Sequence, residues 1–262
     1  MKSLIQRITL VAAIGLGTCF TCMGQASDRL TPIQQRIRVQ QQRLSSSSVE
    51  ERRDALMKLG AMNHPDAARA AMAALNDGEP VVRVTAAHAM AALPASDTAT
   101  ALIPLLVDKQ EFVRREAANA LGVKGNHAAV QPLIQLLETD KEISVRTAAA
   151  VALGKIQDEA AVVPLVNMLA ANPSGKKSKK RENDFVMKSA AQALGKIRSR
   201  AGVPALIATL ADEKIDTEVR RAAAEALGAI GDVTAVPALQ SAADSIDPYL
   251  SQVAHAALRR LR

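Results

Sequence analysis

The chain has 262 residues, a formal net charge of +7 and a 48% share of hydrophobic residues. Aromatic residues make up 2% and tryptophan is absent, which excludes a surface that grips sugars or single-stranded nucleic acid by stacking. Its two cysteines, Cys19 and Cys22, both lie near the start, so no disulfide framework or thiolate chemistry is available to the rest.

In chain order, Lys2 and Arg7 precede a mostly apolar run over 8–20, and Gly24-Gln25-Ala26 sets small residues at the two positions a signal peptidase reads. This pattern predicts a secretory signal over 1–26, cleaved after Ala26 and too short for a comfortable membrane span. An uncleaved anchor is the alternative. Cleavage would remove both cysteines, so stability must come from packing. The expected location is outside the cytoplasm, in the periplasm or secreted.

Residues 27–62 read as N-terminal capping helices and a degenerate first repeat. Thr31 caps a helix over 31–44 with Pro32 at its first position. Thin apolar content (Ile33, Ile37, Val39, Leu44) suits a terminal unit with one face to solvent. A turn over 45–48 leads into a helix over 49–61, with Ser48, Leu56 and Leu59 taking the anchor places of the pattern that follows.

From residue 63 onward the chain repeats itself. VRREAANALG at 113–122, VRTAAAVALG at 145–154, VMKSAAQALG at 186–195 and VRRAAAEALG at 219–228 are near-copies, with looser ones at 82–91 and 250–259. Anchored on Val82, Val113, Val145, Val186, Val219 and Leu250, the steps are 31, 32, 41, 33 and 31 residues. Apolar or small residues recur at the anchor and 3, 4, 7, 8 and 11 places later, as in Val145, Ala148, Ala149, Ala152, Leu153 and Ile156. That spacing is one face of an α-helix. The glycine closing each copy points to close helix packing or a loosened last turn. A first helix precedes each of these, marked by IPLL, QPLI, VPLV, VPAL and VPAL. Its proline follows a plausible cap (Asp97, Asp158, Asp232) and should bend or break it. A unit of this size cannot bury its apolar stripe alone and must stack on its neighbours. The predicted fold is all-α, a right-handed α-α superhelix of about seven helix pairs.

With these first-helix prolines, Asp-to-Val-Arg turns and closing Ala-Leu-Gly, the chain resembles the HEAT repeats, and more narrowly their short bacterial phycobilisome-lyase-like subtype. The likeness covers roughly 63–262. It implies a ladder of Asp–Arg pairs along the stack, for which Asp77–Arg83, Asp108–Arg114 and Asp140–Arg146 have the spacing. Met187 interrupts it, and Asp212 stands eight residues before Arg220. The subtype also implies a bacterial source, hence the cell envelope as the place of work. Two enzymatic alternatives come with the resemblance: a phycobilin lyase, or a HEAT-type metal hydroxylase with His-Glu pairs in its helices. Here His64, His88, His127 and His255 are followed by Pro65, Ala89, Ala128 and Ala256. No metal, cofactor or catalytic residue is expected from this pattern.

What remains is surface. In HEAT solenoids the second helices line the concave side, and places 2, 6 and 10 after each anchor lie opposite the buried stripe. Arg115, Asn119, Lys155, Lys188, Gln192, Lys196, Arg221 and Glu225 stand there and are the candidate contacts for a protein or peptide partner. The insertion over 172–184 reads as a flexible solvated loop. Its Lys176, Lys177, Lys179, Lys180 and Arg181 carry +5, which is the whole net charge once Lys2 and Arg7 are gone. Such a cluster fits an anionic lipid or envelope polymer and not nucleic acid, lacking interleaved aromatics. Phe112, Phe185 and Tyr249 each precede an anchor and read as a shared contact over the inter-helix turn. The oligomeric state is not legible. The reading is an exported scaffold without catalysis.

Overall fold

The computed structural model describes residues 30–170 and 177–261, with fourteen α-helices and no strand among them. They pair in chain order: α1 (Pro32–Arg43) with α2 (Val49–Ala61), α3 (Pro65–Ala71) with α4 (Pro80–Ala89), α5 (Ala95–Leu102) with α6 (Glu111–Lys124), and α7 (Val130–Thr139) with α8 (Ile143–Ile156). The series closes with α9 (Val162–Ala170) and α10 (Lys177–Ile197), α11 (Val203–Ala211) and α12 (Thr217–Ile230), and α13 (Val236–Ala243) and α14 (Pro248–Arg260). One continuous apolar core runs through the stack, from Ile37 in α1 to Ala257 in α14. The anchor stripe builds it: Val145, Ala148, Ala149, Ala152 and Leu153 are all buried.

The second helices pack backbone to backbone. A Cβ added to Gly122, Gly154, Gly195 or Gly228 would stand 2.6–2.8 Å from the Cα of Ala152, Ala193, Ala226 or Ala257 in the following unit. Only glycine opposite alanine permits this approach. The second helices therefore lie in closer contact along the stack than the first helices, which are spaced by larger side chains such as Leu165 and Leu206. A stack tighter on one side curves toward it, so the second helices form the inner, concave face.

The first helices break where proline sits. In units four to seven a 3₁₀ turn precedes the helix, and Asn126, Asp158, Ser199 and Asp232 cap it, each side chain accepting from the backbone N–H two places on at 2.7–3.2 Å. The helix then restarts with Pro132, Pro164, Pro204 or Pro237 in its opening positions, where a missing N–H costs nothing. Unit three differs. Asp97 lies inside α5 and is no cap; Pro94 takes that place, and Pro104 falls in a 3₁₀ segment over Ile103–Val107. On this outer edge units four to six are also joined at their caps: His127 Nδ1 meets Asp158 at 2.6 Å, and Ser199 Oγ donates to Glu159 at 2.5 Å.

A ladder of guanidinium–carboxylate pairs joins the first four units. Arg52 Nε and Nη2 reach Asp77 at 2.7 and 2.9 Å, Arg83 reaches Asp108 at 2.7 and 2.8 Å, and Arg114 reaches Asp140 at 2.6 and 3.0 Å. Each arginine thus bridges to the aspartate of the following unit, while its Nη1 donates to a carbonyl in the turn of its own unit at 2.8–2.9 Å. Burial pushes the three carboxyls up. The guanidinium bonds and a backbone N–H two residues on outweigh it, leaving Asp77, Asp108 and Asp140 below the ordinary aspartate value. Arg146 ends this row: its Nε is buried with no hydrogen-bond partner. A second row, one position further along the helix, serves the last units. Lys188 meets Glu218 at 2.8 Å, and Arg221 meets Asp247 at 2.8 and 2.9 Å as well as Glu218. Arg220 instead donates to the carbonyl of Leu210 at 2.9 Å.

Three further sequence readings are corrected. The first unit's anchor place is Glu51 and not Ser48, which caps α2. Arg52 follows Glu51 as Arg83 follows Val82, and Gly60 faces Ala89 as Gly122 faces Ala152. The segment 172–184 is not all loop, since α10 starts at Lys177, roughly two turns earlier relative to its anchor than the other second helices. The three aromatics do not share one role: Phe112 packs on the core, Tyr249 lies 5.0 Å beneath the Arg221 guanidinium, and Phe185 is exposed. The segment 1–26 lies outside the described residues.

Candidate functional site

The inner faces of α10, α12 and α14 enclose a groove with a volume of ≈ 790 Å³. Its floor is small and apolar, with Ala222, Ala226, Ala229, Val253 and Ala256, because the stripe that lets these helices approach carries alanine. Gln192, Lys196 and Glu225 rise from it, three of the eight residues singled out from the sequence, joined by Arg198 and Arg260. All five side chains are exposed, and none makes a hydrogen bond or ion pair among the described residues.

The other five stand elsewhere. Arg115 and Asn119 converge with His88 on Glu116: Arg115 Nε is 3.0 Å and His88 Nε2 3.5 Å from it. Burial works against ionisation of Glu116, but Arg115 and its neighbours prevail and hold its carboxyl below the ordinary glutamate value. Lys188 and Arg221 belong to the second row of ion pairs, which ties neighbouring units together. Lys155 is exposed on α8, outside the groove. Of the basic insertion, Lys176 lies outside the described residues, and Lys177, Lys179, Lys180 and Arg181 fall in the opening turns of α10, where the backbone alone is described.

Sequence reasoning missed Gln157 and Arg198, which also line the groove. Both stand twelve places after their anchors, where Gly125 and Gly231 stand in other units. All four end their helices in the left-handed conformation, with φ of 67° and 81° for the glycines and 61° and 59° for Gln157 and Arg198. Glycine takes that conformation freely, whereas a side chain there is strained. Gln157 has a structural use, its Nε2 donating to the Lys196 carbonyl at 2.6 Å.

A second cleft of ≈ 810 Å³ opens at the turns joining α11–α12 and α13–α14, where Arg220 bonds the Leu210 carbonyl and Asp247 bonds Arg221, while Glu213 and Asp244 also line it. Among the described residues no three of His, Cys, Asp and Glu converge as metal ligands. His64, His88 and His127 each meet one carboxylate instead. No helix of the described residues is long and apolar enough to cross a membrane.

Paired helices, inner glycine–alanine contacts and an arginine ladder define an α-solenoid scaffold. The family model for HEAT repeats matches residues 38–122, 102–179 and 177–259, and the chain belongs to that family. No curated protein sequence matches it. Among solved structures it is similar to YibA of Escherichia coli, at 22% identity and a TM-score of 0.59 over 87% of this chain and 81% of the other. It is also similar to the complex of CpcE and CpcF of phycocyanin lyase from Nostoc sp., at 26% identity and a TM-score of 0.51, covering 88% and 87%. That likeness fits the phycobilisome-lyase-like type of repeat.

Proposed function

We propose that this HEAT-repeat chain is an exported scaffold without catalysis, holding a protein or peptide partner along the inner face of its second helices. The groove between α10, α12 and α14 carries the reading: an apolar floor flanked by polar side chains that the fold leaves unpaired. Buried apolar contact with a few placed polar groups is what recognition of a partner segment requires. The similar CpcE and CpcF form a complex, which supports the assignment. The charged, apolar and small-residue order of 1–26 supports export. A photo-crosslinking amino acid placed at Gln192 or Glu225 should trap a partner in the native envelope fraction, whereas one at the exposed Val163 of the first-helix side should not. Equal trapping at both faces, or none at the groove, removes the proposal.

The basic insertion is a second proposed contact, for anionic lipid or envelope polymer. The early start of α10 supports it by setting four of the five cations on one helix.

A further inference from the structure

We infer that the occupant of the groove between α10, α12 and α14 is an acidic linear segment, its carboxylates met by Lys196, Arg198 and Arg260 and its small apolar residues laid on the alanine floor. The inference rests on the scaffold reading and adds the chemistry of the partner.

Charge carries the argument. Across the inner face, most cations are neutralised within the fold: Arg115 by Glu116, Lys188 by Glu218, and Arg221 by Asp247. Lys155 stands alone on α8, and the other exceptions gather at one place. Among the described residues, Lys196, Arg198 and Arg260 line the groove without an intramolecular partner, against a single carboxylate, Glu225. A concave wall with that excess steers and holds negative charge.

The backbone supplies the second observation. Arg198 keeps a left-handed φ of 59°, where glycine stands in two other units, and its side chain makes no internal bond in return. Strain of this kind at a cleft marks a position held for something the side chain does outside the fold. A guanidinium at the rim of the groove suits a carboxylate, which it binds bidentately.

A fluorescein-labelled peptide alternating Asp or Glu with Ala and Leu is the probe, compared by anisotropy with its Asn/Gln counterpart and with anionic phospholipid vesicles. The acidic peptide should bind the full chain, the amide peptide at least about tenfold less tightly, and binding should fall as salt rises from about 0.1 M to about 1 M and the screening length drops from about 10 Å to about 3 Å. Lys196→Ala and Arg260→Ala should each weaken it by up to about fivefold, the worth of one exposed ion pair. Two variants separate binding from folding. Arg198→Gly should raise the melting temperature while weakening the peptide, and Glu225→Gln should strengthen it. Arg36→Ala, at the far end on α1, should change nothing. Equal affinity for acidic and amide peptides, unchanged binding in the Lys196, Arg198 and Arg260 variants, or a preference for vesicles over the peptide overturns the inference. Partner trapping at Gln192 or Glu225 that survives charge reversal at those three cations would overturn it too, yet leave the scaffold reading standing.

Discussion

Two arginines at equivalent places in adjacent units have opposite prospects. Arg114 and Asp140 are about nine-tenths buried and doubly bonded, so Arg114→Met strands a carboxylate in the turn. The expected loss is about 3 kcal/mol, the lower range for breaking a buried pair. Arg146 already leaves its Nε buried and unpaired, and the following unit carries Met187, buried, in its place. Arg146→Met should therefore change stability by no more than about 0.5 kcal/mol. Denaturant midpoints of the two variants, measured together, check the contrast. The same scale shows why the ion pairs of Lys188 and Arg221 were not legible in the sequence. Periodicity sets them correctly on the outer side of their helices, but their partners Glu218 and Asp247 lie 30 and 26 residues away, on the neighbouring unit. Nothing local announces such a pairing.

For the helices, the Gly–Ala contact decides what a methyl group does. At Gly154 an added Cβ would meet the Ala193 Cα at 2.7 Å, backbone that cannot step aside. Gly154→Ala should cost about 1–3 kcal/mol through overpacking, despite the better helix propensity of alanine. At Gly60 the corresponding distance to Ala89 is 3.4 Å, an ordinary contact. There propensity wins, and Gly60→Ala should add about 0.5–1 kcal/mol. Thermal melts of the two variants should move in opposite directions. Helix type, pairing and the first-helix breaks were legible because the repeat spells them out several times over. The first unit was read three residues out of register because Glu51 replaces the apolar anchor and Ser46 the aspartate, leaving Leu59-Gly60 as the surviving signal. The start of α10 was missed because Pro173, Ser174, Gly175 and a run of lysines all favour solvent, while continuity with a packed helix extends order backwards into that run. The groove itself was half legible: Gln192, Lys196 and Glu225 follow from spacing, but Gln157 and Arg198 are visible only by noticing which residues stand where glycine should.

At the scale of the molecule, the ladder links stability to acid. Asp77, Asp108 and Asp140 are held below their ordinary value when folded, so the unfolded chain binds protons more readily than the native one. Their contribution is complete above the unfolded value near pH 3.9 and disappears as pH falls through the lower folded values. Stability should be level from neutral pH to about pH 5 as far as these groups act, then drop as pH falls below about 4. An Asp77→Asn, Asp108→Asn chain should start less stable and show a shallower acid slope, measured by denaturant midpoint across pH.

The glycine–alanine contacts have a mechanical consequence. Where Gly122, Gly154, Gly195 and Gly228 press on the next backbone, no side chain is left to compress. The spring of helices can relax outward, but it meets a hard stop in the other direction. A guest in the proposed groove would therefore be admitted by a slight uncoiling and held by a shape already formed, since the spiral has no travel left with which to clench.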